Sequence, residues 1–111
     1  MTYYILLDQL FNIQPSTKQV DQWTKARRLE DIEYFLENGD YKVRIACAKA
    51  LVVLDAKSSI ERLRNQLSDK VKPVAQECAN SLRKLGASSE VEREIEEMEA
   101  RWKERSHLGR E

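Results

Sequence analysis

The sequence predicts an all-α fold, a short α-solenoid in which helical hairpins stack into an alpha-alpha superhelix. Two stretches, YKVRIACAKALVVLDA from Tyr41 and KPVAQECANSLRKLGA from Lys72, align without a gap at an offset of 31 residues and share six of sixteen positions. About one identity is expected from average residue usage. Within each stretch the apolar residues recur every three or four positions, the period of a helix with one buried face. The chain has 111 residues, 41% of them hydrophobic, with three Gly and two Pro. It is therefore long enough for one small core and short of the residues that punctuate loops. A period near 31 with two helices per unit, A then B, marks a helical repeat.

The elements follow in order within a single domain, 1–111. Residues 1–15 are an N-terminal cover segment. Its run TYYILLDQLF lacks the basic start and cleavage site of a secretory leader, and Asp8 interrupts it far short of a membrane span. It reads equally as an extra helix over residues 3–11 or as irregular cover. Residues 16–39 form a degenerate first repeat. Its A helix, near 16–25, begins behind Pro15 and Ser16 and carries Val20 and Trp23, which shift by 31 onto Leu51 and Leu54; its B helix, near 27–38, carries Leu29, Ile32 and Leu36.

Residues 40–70 form the second repeat. Helix A over 42–54 has Val43, Cys47, Ala50, Leu51 and Leu54 on one face, and helix B over 58–68 has Ile60, Leu63 and Leu67, behind a cap at Ser58 or Ser59. Residues 71–104 form the third repeat. Its A helix over 73–85 repeats the face as Val74, Cys78, Leu82 and Leu85. Pro73 suits the first turn and Gly86 the left-handed position after the last; Asp55 is the weaker stop at the matching place. The C-terminal capping helix over 89–104 puts Glu94 on the shifted stripe, and Ile95 with Val91, Met98 and Trp102 restores an apolar face. Ser89 followed by Glu92 reads as a capping box. Residues 105–111 are expected to be a flexible tail.

The unit DYKVRIACAKALVVLDAKSSIERLRNQLSD resembles a HEAT repeat of the short type found in phycobilin-lyase-like proteins. The match lies in Asp40, then Val43-Arg44, then Ala46, Ala48 and Ala50 before Leu51. The following unit departs from it, with Val71-Lys72-Pro73-Val74 in place of the Val-Arg dipeptide and Glu77 where Ala46 stands. The resemblance covers about residues 26–104. It implies an armadillo-like helical fold, shared by scaffolds, chaperones and a few enzymes, so it speaks to architecture more than to activity.

Little in the sequence suggests catalysis. The one histidine, His107, falls in the polar tail, and Cys47 and Cys78 have no neighbouring His. Equivalent positions on packed helices lie about 8–10 Å apart, beyond the ~7 Å that a disulfide tolerates, so the pair reads as two small core residues. Two cysteines in apolar segments fit a reducing compartment, and the expected localisation is cytoplasmic. No cofactor or metal is expected.

Lys plus Arg and Asp plus Glu each total 19, so no overall field draws the chain onto nucleic acid or an anionic membrane. The distribution is uneven: residues 40–87 hold ten basic and five acidic groups, residues 90–104 three and seven. On the B helices, 100° per residue turns Arg62 and Asn65 away from the core when Ile60, Leu63 and Leu67 face it. Their repeat equivalents are Asp31 with Tyr34 and Arg93 with Glu96, giving a polar ladder with Tyr34 as its aromatic anchor.

The leading expectation is a non-catalytic scaffold or protein–protein interaction module that binds another protein through this ladder, with self-association through incompletely covered terminal helices. Two alternatives stand beside it: an accessory or chaperone subunit like phycobilin lyases, by resemblance alone, and a weak nucleic-acid binder using Arg44, Lys49, Lys72, Arg83 and Lys84.

Overall fold

A computed structural model describes residues 2–108, and the side chains as far as residue 106. These residues form seven α-helices and no strand. Helix α1 spans Tyr3–Phe11, α2 Thr17–Lys25, α3 Leu29–Asn38, α4 Tyr41–Val53, α5 Ile60–Asn65, α6 Lys72–Lys84 and α7 Ser89–Leu108. Short 3-10 turns, Lys57–Ser59 and Gln66–Ser68, flank α5. The tail expected from residue 105 begins inside α7. The side chain of His107 lies outside the described residues, as do residues 109–111.

Local chemistry sets the boundaries. Thr2, Ser16 and Asp40 cap α1, α2 and α4 by accepting the backbone N–H groups of Ile5, Gln19 and Val43. Ser88 does the same for Val91 at the start of α7, so the cap sits one residue before the expected Ser89, and Glu92 engages Arg83 instead of closing a box. Neither Ser58 nor Ser59 caps α5: the Ser59 hydroxyl is buried and donates to Glu33. α6 begins with Pro in its first turn and no side-chain cap.

The A helices end alike. Arg27 (φ 57°), Asp55 (φ 49°) and Gly86 (φ 92°) are left-handed residues after α2, α4 and α6. In the first two turns the next N–H reaches back five residues, Arg28 to the Trp23 carbonyl and Ala56 to that of Leu51, both at 2.9 Å, as in a Schellman motif. This fixes the register of the first unit at 28 residues, so Trp23 corresponds to Leu51 rather than Leu54. The 3-10 turn Lys57–Ser59 supplies the three extra residues and returns α5 to an offset of 31 from α3, which keeps Ile32 equivalent to Leu63.

Packing follows these equivalences. α2 lies against α4 and α4 against α6, while α3 packs on α4, α5 on α6 and α7 on α6; α1 rests on α3. Small residues at Ala48 and Ala79 permit the close A-to-A approach, and Ser81 donates a buried 2.8 Å hydrogen bond to the Ala48 carbonyl. One continuous core runs from Ile5 to Met98, with Trp23 stacked on Phe35. The molecule is 45 × 32 × 19 Å, about two helix diameters thick.

Candidate functional site

The six ladder residues do not form one surface. Asp31 is fully buried: it accepts from the Thr2 hydroxyl and from Arg28, because α1 closes over this part of α3. Helical geometry within one repeat pointed Asp31 outward, but a distant segment covers it. Tyr34 is half-buried and donates to the Asp8 carboxylate at 2.6 Å. That carboxylate holds the phenol proton and raises the Tyr34 pKa above its ordinary value. Arg62 lies between Glu33 and Glu37, and Arg93 pairs with Glu97. Asn65 and Glu96 are exposed.

The other charged candidates divide by residue type. Arg44 forks onto both oxygens of Asp69 and donates to the Gly39 carbonyl. Arg64 holds Glu94, Glu61 and Glu90, and Arg83 holds Glu92 and Glu99. Those bonds hold Glu94 and Glu99 below the usual carboxylate range and keep both guanidinium groups firmly protonated. Ion pairs among the described residues use arginine alone; Lys49, Lys72 and Lys84 are exposed and enter none. The phosphate-binding set thus loses Arg44 and Arg83 to internal bonds.

Cys47 and Cys78 are buried and free. Burial raises both thiols, Cys78 up to about 12. No group of three or more His, Cys, Asp or Glu among the described residues could hold a metal. The depressions between the B helices are open to solvent. One of about 340 Å³ lies between Arg64 and Glu94, and one of about 350 Å³ between Glu33, Tyr34 and Arg62.

The outer face of α1 differs from all of these. Tyr3, Leu6, Leu10 and Phe11 on α1, and Ile13 just beyond it, are 44% to 67% exposed. The helix itself is fixed in place. Ile5 is in the core, Tyr4 packs edge-on against Trp23, and Thr2–Asp31, Tyr34–Asp8 and Gln14–Asp8 hydrogen bonds tie it down. Sequence reasoning treated this segment as a cover. The missed signal was the spacing of Tyr3, Leu6 and Leu10, a second apolar stripe on a helix that already had one.

Compared with models of known protein families, with curated proteins and with solved structures, the chain shows no match in any of the three. No helix among the described residues is long and apolar enough to cross a membrane.

Proposed function

We propose that the chain is a HEAT-like α-solenoid module without catalytic activity that binds protein through the outer face of α1. The solenoid reading is supported by the A-to-A succession of α2, α4 and α6 and by their three equivalent left-handed turns. The observation that carries the binding reading is a firmly held helix with four large apolar side chains turned to solvent and a fifth, Ile13, just beyond it. A contiguous apolar patch of this kind is the mark of an interface, whereas a solvated face would carry charge. The B-helix face fits the role less well, since its arginines are already clamped by glutamates.

A photo-crosslinking amino acid at position 10, introduced in the native cell, tests this directly. Covalent adducts to protein are expected, and far fewer with the same group at the exposed residue 53 on α4. Equal yields at both positions would remove α1 as the docking face.

A further inference from the structure

We infer that the hollow between the Gln66–Ser68 turn and the C-terminal half of α7 is a second binding site, separate from the α1 face, and that it takes a short acidic stretch of a partner protein. A depression of about 300 Å³ is lined there by Leu67, Asp69, Lys70, Arg101, Trp102 and Arg105. What sets it apart is positive charge without a counterion. Of the nine arginines among the described residues, six are held by carboxylates, and Arg27, Arg101 and Arg105 make no ion pair with a described residue; Lys70 makes none either. Asp69 does not neutralise them, because both its oxygens already accept from Arg44. Glu97, one helical turn before Arg101, pairs with Arg93 instead. Arg101 and Arg105 stand four residues apart on one face of α7, a like-charge spacing that weakens a helix. The helix dipole favours a cation in the last turn, which suits Arg105, but Arg101 lies two turns before the end of α7. Three cations therefore converge on one hollow, at a cost that an anion from outside removes.

The surroundings select among anions. Trp102 packs on the core and carries the Arg105 guanidinium over its ring, 5.0 Å from the centroid, so the indole holds a cation in place and offers no open platform for a nucleotide base. Residues 90–104 hold seven acidic and three basic groups, which repel a phosphate backbone or an anionic membrane lying along α7. A short segment avoids that repulsion. Arg101 and Arg105 are about 6 Å apart along the helix axis. Alternate side chains of an extended chain are about 6.6 Å apart. Two carboxylates so spaced can each meet a guanidinium fork, as Asp69 meets that of Arg44, while an apolar side chain rests against Leu67 and Trp102.

The test is an NMR titration of the isotope-labelled full chain with a capped tripeptide of glutamate, leucine and glutamate. The indole N–H of Trp102 is the reporter and that of the buried Trp23 the internal reference. The Trp102 resonance should shift and saturate with a dissociation constant on the order of 0.1–1 mM, as a few exposed ion pairs allow. Raising NaCl from about 50 to about 200 mM should weaken binding about threefold or more. The same peptide with glutamine for glutamate should leave the resonance in place. Arg101→Gln should weaken binding at least about fivefold, whereas Lys84→Gln, at an unpaired lysine on α6, should not. Without peptide, Arg101→Gln should hold or slightly raise Tm, since it removes a like charge. A lower Tm would make Arg101 a structural residue and overturn the inference. So would an unmoved Trp102 resonance up to about 10 mM peptide, an equal response to the glutamine peptide, or tighter binding of inorganic phosphate or single-stranded DNA than of the acidic peptide.

Discussion

Arg44 engages its whole guanidinium inside the protein, with a fork onto Asp69 and a third bond to the Gly39 carbonyl, while both side chains of the pair are less than one-fifth exposed. Removing one partner of such a pair leaves the other charge buried and unpaired, so Arg44→Ala should lower unfolding free energy by about 3 kcal/mol in a urea titration. Arg44→Lys should recover only part, because an ammonium cannot fork. The sequence offered Arg44 both as part of the Val-Arg pattern and as a phosphate contact. The structure spends the guanidinium on Asp69, 25 residues away, a partner that neither use names. The two cysteines illustrate the opposite case. Their burial was legible from helical period alone, and it leads to a chemical expectation. With thiol pKa values raised by burial, Cys78 to about 12, neither forms appreciable thiolate at pH 8. A thiol reagent should label them only as fast as the protein unfolds, at a rate that rises with urea; rapid native labelling would contradict the buried placement.

At the scale of elements, the three left-handed turns carry a graded expectation. Asp55 and Arg27 adopt φ near 50° with a side chain, which costs about 1 kcal/mol per residue relative to glycine. Asp55→Gly should therefore stabilise the fold, offset in part by the looser unfolded chain, for a net gain below about 1 kcal/mol. Gly86→Ala should cost a similar amount although no atom lies within 4 Å of the added Cβ, because the strain is in the backbone. Thermal denaturation of the two variants should shift in opposite directions. The third A-helix stop was readable in the sequence because glycine announces it. The first was not, since nothing in an arginine signals positive φ, and that hid the 28-residue register.

The last helix is held differently, by Arg64 to Glu94 and Arg83 to Glu99. Both carboxyls have folded pKa values depressed below the ordinary 4.5. Their contribution is thus complete above about pH 4.5 and is lost as pH falls through the lower folded values. The urea midpoint should drop on acidification below pH 4.5, and Glu94→Gln with Glu99→Gln should flatten that dependence while lowering the midpoint at pH 7. The helix itself was legible from Val91, Ile95 and Met98. Its ion-pair partners were not, because Arg64 and Arg83 lie on other helices and reach it only after the stack forms.

For the whole molecule the question is whether three units unfold together. On the repeat reading proposed above, stability is the sum of each unit's own term and the terms at its interfaces. The middle unit is weak alone: α5 has six residues, well below the length at which an isolated helix persists in water. Its interfaces are dense. Arg62 bridges to Glu33 and Glu37 on one side, Arg64 to Glu94 on the other, and Gln66 donates to the Leu36 carbonyl across the first boundary. Weak units joined by strong interfaces unfold as one body. Leu63, fully buried at the centre of α5, is the place to test this. Leu63→Ala should cost about 2–5 kcal/mol. In a Trp102→Phe background, where Trp23 is the only tryptophan and sits in the first unit, its fluorescence should report the same shift in urea midpoint as far-UV circular dichroism reports for the whole. A Trp23 midpoint left in place while the dichroism transition broadens would show that the first unit folds independently of its neighbours.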